Sequence, residues 1–476
     1  MADRLGRCGP ALVVVVASAL LGVIARSPTA SATTSTNASR FAGADRYATA
    51  ATVAESAFPD GADNAVVASG LNFPDALAAS YLAGLFSGPG QSWGGPVLLT
   101  DPASASQPMM QALSALHVKT VYIAGGPSAV SDNVQSTIAG TPSTNPAGGN
   151  IAVTRLGGAG RYDTDKAIAE RFGKQVVGGV GGRPTAIVAS GETFPDALAA
   201  GPVAFSLTLP VVLTDPTTLS SQAQQILSDL GIAQVLIMGG PSAVSAGVES
   251  AINAMGITTL YRADGANRYD TAAKFATYAT TQGLNMTDAK VAVATGLNFA
   301  DALAGGPFAG SNIEPIVLSD PVPPETANFV ASESATLAHV DVLGGPLAVS
   351  DADVEALEQA AGNATPPPPG HTAHLTDTSN GAQVTVAVGD TVQVNLGASF
   401  DGGYQWTFTQ APDPSVVALQ SQQNVIRGSP AGSLGAGGTQ AFNFGATGKG
   451  STRMVLSYSQ GSGPVAATYQ LNVVVS

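Results

Sequence analysis

The chain has 476 residues, too many for one ordinary domain and enough for about three or four. Acidic residues outnumber basic ones 33 to 19, and the net charge of -14 argues against nucleic acid or an anionic membrane surface as a partner. With 56 glycines, 45% hydrophobic and only 11% charged residues, the composition is that of buried apolar strands joined by tight turns, which excludes a disordered chain.

Residues 1–32 read as an export signal. Arg4 and Arg7 precede the apolar run "ALVVVVASALLGVIA" at 11–25, and the small residues "ASA" at 30–32 fit a cleavage site. That run is short for a membrane anchor. The single cysteine, Cys8, lies ahead of it, so the exported chain is expected to have neither disulfides nor thiolate metal sites.

Beyond the signal the chain repeats itself three times. "RFAGADRYATA", "RLGGAGRYDTD" and "RADGANRYDTA" begin at Arg40, Arg155 and Arg262. "GLNFPDALAA", "GETFPDALAA" and "GLNFADALAG" follow at Gly70, Gly191 and Gly296, then "LLTDP", "VLTDP" and "VLSDP" at Leu98, Val212 and Val317. Each unit closes on "GGPSAVS" or "GGPLAVS", at Gly125, Gly239 and Gly344. A period above one hundred residues means tandem globular modules, not a solenoid. The modules are placed at 33–150, 151–257 and 258–361.

Within a unit, helical and apolar segments alternate. In the first, a helix over 46–58 leads to a strand at 64–69, a helix over 74–86, a strand at 95–100, a helix around 107–116, a strand at 119–125 and a helix begun by Ser131. Apolar strands alternating with helices predict a small Rossmann-like α/β module with a parallel sheet covered on both faces. Every signature phrase then falls just after a strand, at the carboxyl edge where open sheets place their ligand crevice.

"GNATPPPPG" at 362–370 is a stiff proline-rich linker. From 371 to 476 short alternating stretches such as "AQVTVAV", "TRMVLSYS" and "TYQLNVVV" between glycine-rich turns predict an all-β, immunoglobulin-like sandwich.

Six of the 19 basic residues, Arg40, Arg46, Arg155, Arg161, Arg262 and Arg268, sit in one repeated phrase. The second of each pair is expected to make an internal ion pair with the acid of its own repeat, Arg46 with Asp75 and so on, pinning the first helix to the sheet edge. An anion pocket is the alternative role, because a guanidinium beside backbone N–H groups suits phosphate or carboxylate on a polymer. Asp75, Asp196 and Asp301 follow a proline or its equivalent at a helix start, where a carboxylate complements the dipole. Pairing them with Asp101, Asp215 and Asp320 as the acids of a glycoside hydrolase is the weaker reading, since three spaced copies are atypical of an active site. A serine nucleophile fails as well: Ser69 and Ser190 are answered by Thr295 in the third copy, and His117, His339, His371 and His374 occupy no repeated position. "HTAH" at 371–374 has no acid cluster or cysteine beside it, so no metal site and no cofactor are expected.

The four phrases, in fixed order and three times over, closely resemble the cell-wall-binding repeat family of type 2 across Arg40 to about Ala361. That resemblance implies a pseudo-threefold arrangement that holds an exported protein non-covalently on a secondary anionic polymer of a Gram-positive wall, between or along the modules. Arg40, Arg46, Asp75, Arg155, Arg161, Asp196, Arg262, Arg268 and Asp301 are the candidate polymer-binding or repeat-edge residues. Ala300 departs from the pattern by replacing a proline, and Asp165 by replacing the alanine seen as Ala50 and Ala272.

The last domain resembles the chagasin-type inhibitors of papain-like cysteine peptidases, over about Gln383 to Val475. "SFDGGYQWTF" at 399–408 is similar to the first inhibitory loop, with Asp401, Gly402, Gly403 and Tyr404, and "LGAGGTQAFNF" at 434–444 to the second, with Gly435, Gly437 and Gly438. The third departs: after Tyr458 the chain reads "YSQGSGP", without the family's Arg-Pro-aromatic wedge. The resemblance implies a secreted, wall-bound, non-enzymatic protein that inhibits or binds a papain-like cysteine peptidase. The alternative is a structural or adhesive surface protein whose sandwich has no inhibitory activity.

Overall fold

The computed structural model describes residues 37–86, 94–319, 321–362, 372–399, 403–426, 437–461 and 463–475; the export-signal reading lies outside them. The first repeat folds as a four-stranded parallel sheet in the order Val97–Thr100, Asn64–Ser69, Thr120–Ala124, Ala152–Leu156. The second orders Val211–Thr214, Arg183–Ser190, Gln234–Met238 and Thr258–Ala263 in the same way, with the short Gly179–Val180 antiparallel to the start of Arg183–Ser190. The third orders Ile316–Ser319, Lys290–Thr295, His339–Leu343 and Asn37–Phe41. The inner strands are buried almost from end to end, as helices on both faces of a parallel sheet require.

The strand that opens each sequence repeat therefore lies in the sheet of another repeat. Ala152–Leu156 completes the first sheet, Thr258–Ala263 the second, and Asn37–Phe41 crosses to complete the third. A strand that follows a helix on a parallel sheet returns by a right-handed crossover to pair with the strand before that helix, which places the first two. Among the described residues no strand after His339–Leu343 joins the third sheet, and Asn37–Phe41 fills the position. Each repeat is thus tied to the next by a strand, and the last to the first.

Sequence chemistry fixes the joints. Asp45 caps helix Arg46–Ala57 by accepting from the N–H groups of Tyr47 and Ala48, and Asn267 does the same for Arg268–Thr281. Gly160 stands at that place in the second repeat, where Arg161–Ala169 begins without a side-chain cap. The first glycine of each "GGP" has a left-handed backbone, with φ of 128° at Gly125, 97° at Gly239 and 112° at Gly344. A Cβ there would stand 2.8, 2.8 and 2.6 Å from a carboxylate oxygen of Asp75, Asp196 and Asp301, so the turn and the acid require a glycine together.

The helices after those acids pack on one another around a common axis. Phe73, Phe194 and Phe299, one from each repeat, form a ring triad with centroids 5.4, 5.8 and 6.1 Å apart. Below them Ser80, Gly201 and Gly306 meet so closely that a Cβ on Gly306 would stand 2.3 Å from Oγ of Ser80. One apolar core accordingly runs through all three repeats.

The C-terminal domain is a mixed, mainly antiparallel sandwich of two four-stranded sheets with its own core, including Trp406, Phe442, Phe444 and Tyr469. One sheet holds Thr372–Thr376, Thr391–Ser399, Gly437–Ala446 and Val417–Ile426; the other holds Gln383–Val386, Ala467–Val475, Gly450–Gln460 and Tyr404–Gln410.

Candidate binding edge between the repeats

The first arginine of each pair serves the fold. Arg155 donates from Nη1 to the carbonyls of Gly125 at 3.0 Å and Val130 at 2.7 Å, and so staples the "GGPSAVS" turn of the preceding repeat. Arg262 makes the matching bonds to Gly239 and Val244, both at 2.9 Å, and a salt bridge to Glu249 at 2.7 Å. Arg40 closes the cycle on Gly344 at 2.9 Å, Val349 at 2.7 Å and Asp351 at 2.9 Å.

The second arginine does not pair with the acid of its own repeat: Arg46 and Asp75 form no ion pair, nor do Arg161 with Asp196 or Arg268 with Asp301. Each acid instead faces the arginine of the following repeat, because the strand exchange brings neighbouring edges together. Burial pushes Asp75 up to about 6, while the Thr164 hydroxyl and the Arg161 guanidinium pull it back. Asp196 is raised by burial and opposed by Thr271 and Arg268. Asp301 is pushed by burial up to about 6, with Arg46 opposing. The expected Arg–Asp association exists, shifted by one repeat and lengthened beyond contact.

Arg46, Arg161 and Arg268 each donate from Nη1 to the carbonyl of Gly70, Gly191 and Gly296 in their own repeat, the first at 2.6 Å. Arg46 lies over the ring of Phe299 and Arg268 over that of Phe194, both 5.9 Å from the centroid. One edge of each guanidinium is thereby fixed, and among the described residues the remaining N–H groups of Arg46 and Arg268 have no acceptor.

Two grooves follow from this packing. One, about 260 Å³, lies between the first and third repeats, lined by Asp45, Arg46, Thr49, Asn298, Asp301 and Leu347 among others. The other, about 130 Å³, lies between the first and second, lined by Asn72, Asp75, Ser128, Arg161 and Thr164. Arg268, Asp196 and Thr271 form the corresponding juxtaposition between the second and third. The threonine of "RYxT" lines the groove and the phenylalanine of "GxxFxDALA" the axis, and recurrence in every copy is the sequence signal that marks both.

The remaining candidates are turn residues. Asp101 and Asp215 each accept two following backbone N–H groups, and the Thr217 hydroxyl together with those N–H groups holds Asp215 below the usual carboxylate range; Asp320 lies outside the described residues. Ser69, Ser190 and Thr295 accept the N–H two residues on. His117 contacts Thr144, and His339 pairs with Asp341. Among the described residues no group of three or more His, Cys, Asp or Glu side chains is placed to hold a metal ion, and no helix is long and apolar enough to cross a membrane.

In the sandwich, Ser399 pairs with Gly437 and Tyr404 with Gln460, so the connections after 399, 426 and 460 leave from one end. Gly403 has a φ of 70° in the first turn, and the rings of Tyr404 and Tyr458 lie 5.3 Å apart beside Trp406. Gly437 and Gly438 open a strand, paired with Ser399 and Ala398, instead of lying within a loop. Asp401, Gly402 and Gly435 lie outside the described residues.

Residues 40–135, 155–249 and 262–355 match the family model for cell wall binding domain 2, and 385–474 match that for the chagasin family peptidase inhibitor I42. The N-acetylmuramoyl-L-alanine amidase LytC of Bacillus subtilis (strain 168) is 26% identical over 255 residues, 54% of this chain and 46% of the amidase. Cwp8 and Cwp6 from Clostridium difficile share the fold, with TM-scores of 0.57 and 0.58 at 23% and 21% identity, over 69% and 73% of this chain and 52% and 53% of theirs. The chain spans about half the length of each of these three. With its three matched segments covering most of residues 40–355, the chain belongs to the cell wall binding domain 2 family and carries a chagasin family inhibitor domain after the repeats.

Proposed function

We propose that the protein is exported, held non-covalently on the cell wall by an anionic polymer seated in the inter-repeat grooves, and non-enzymatic. Its sandwich is then presented to a papain-like cysteine peptidase. The observation that carries the wall reading is the repeated guanidinium at a groove, anchored along one edge on a glycine carbonyl and free along the other. A planar donor held in this way suits a phosphate or carboxylate of a polymer. The acidic character of the whole chain is offset locally, because burial keeps the groove acids partly protonated near pH 6.

The peptidase reading rests on the gathering of three strand connections at one end of the sandwich, beside the Tyr404–Tyr458 ring pair. The connection after Gln460 lacks an arginine and a tryptophan, which favours the adhesive alternative, since such residues dominate tight interfaces. One preparation of the full chain tests both. It is expected to sediment with Gram-positive walls and to lose that ability when their anionic polymer is extracted. Papain activity is expected to fall at micromolar protein; unchanged activity would leave the adhesive reading standing.

A further inference from the structure

The three repeat junctions carry the same arginine but not the same surroundings. Position 192 is glutamate in the second repeat, where the first and third have the exposed Leu71 and Leu297. Glu192 reaches back across the edge: its Oε2 accepts from Nη1 of Arg161 at 3.3 Å, and its Oε1 accepts from the Tyr162 hydroxyl at 2.9 Å. Among the described residues Arg46 and Arg268 have no salt bridge to a carboxylate.

A second substitution marks the same repeat. Asp165 stands where the other repeats have Ala50 and Ala272, fully buried, with Oδ2 accepting from the N–H of Leu213 at 2.8 Å and Oδ1 without a partner. Burial raises its carboxyl well above the usual range and Asp75 adds to the rise, so it brings no negative charge to Arg161. What distinguishes Arg161 is the contacting carboxylate of Glu192.

Building on the wall-binding reading, we propose that Glu192, which shares Nη1 of Arg161 with the Gly191 carbonyl, neutralises that guanidinium from within the chain, so that the groove between the first and second repeats does not take anionic ligands and only the junctions of Arg46 and Arg268 do. Glu192 is on this account a specificity-determining residue, a carboxylate in the place of the polymer's own anion. Its removal opens a third site without touching the axis or the sheets, since leucine is the residue the other two repeats carry there.

The test titrates full-length protein with tripolyphosphate by calorimetry and maps arginine reactivity with phenylglyoxal by mass spectrometry. Wild type is expected to saturate at two equivalents and E192L at three, with E192L/R161Q returning to two. Removing a negative charge at a distance changes affinity but not the number of sites, so the stoichiometry separates the two effects. Equal saturation of wild type and E192L overturns the proposal. The reactivity arm stands without any bound polymer: Arg161 is expected to react at least fivefold more slowly than Arg46 and Arg268 in wild type and at the same rate in E192L. Equal rates in wild type overturn the proposal even if no tripolyphosphate binds, an outcome that by itself counts against the underlying wall-binding reading.

Discussion

Each repeat holds two arginines six residues apart, and the structure uses them in opposite ways. Arg40, Arg155 and Arg262 lie on strands that have crossed into another repeat's sheet, and each uses its donors on carbonyls of the turn it meets there. Arg46, Arg161 and Arg268 begin the following helix, keep one edge on a glycine carbonyl and turn the other toward a groove. An arginine with its N–H groups consumed by backbone acceptors is a structural part; one with donors left over is available to a ligand. The same residue type in the same phrase thus separates into fold and function by how many of its donors the chain satisfies.

The largest effect is expected where the staple is removed. Arg155→Met keeps the aliphatic stem but leaves the carbonyls of Gly125 and Val130 without their donor, on a turn whose Val130 is fully buried. Unsatisfied buried acceptors cost about 1 to 3 kcal/mol each, so the loss is about 3 kcal/mol. A denaturant midpoint for R155M equal to that of wild type would break the distinction between the two arginines at once.

The next effect comes from the acids. Asp75 and Asp301 sit at about 6 and the buried Glu333, beside Asp288, at about 8, all above their ordinary values. The native state therefore binds more protons than the unfolded chain between about pH 4 and those values. With the native state holding the extra protons, stability is greatest at the acid end of this window and falls as pH rises through 6 and then 8. The free-energy change is on the order of a few kcal/mol per group. Thermal melts are expected to shift down from pH 5 to pH 8, and D301N to flatten the part of that slope near pH 6. A rising midpoint over the same range would remove burial as the dominant cause.

Much of this was legible in the sequence. The alternation of apolar strands and helices gave three α/β modules, and the tetraproline marked the change to a sandwich. The strand exchange was not read, because a repeat shows its period but not its phase: "RFAGADRY" looks like the start of a module whichever sheet its strand joins. The right-handed crossover rule applied to Ala152–Leu156 would have assigned it to the first sheet. The misplaced ion pair has the same origin. Within one repeat Arg46 has Asp75 as its natural partner, whereas closure of the cycle sets Arg46 opposite Asp301, far along the chain. Position by position the groove residues were visible as repetition; which copy faces which was a property of the topology.

The smallest effect on stability is expected at the groove arginines, and it sharpens the comparison most. Arg46→Gln loses one bond to the Gly70 carbonyl and a ring contact with Phe299, about 1 kcal/mol or less, but it removes the free guanidinium edge. A charged hydrogen bond is worth about 1.5 kcal/mol, so retention on walls is expected to weaken about tenfold. Arg161→Gln removes a guanidinium that Glu192 already neutralises, and retention is expected to change less than twofold. Measured side by side in sedimentation with purified walls, R46Q and R161Q contrast an arginine with no contacting carboxylate among the described residues with one already paired to Glu192. Equal losses for the two would mean that the polymer displaces Glu192 and that all three grooves carry load; no loss for either would move the binding surface away from the repeat edges altogether.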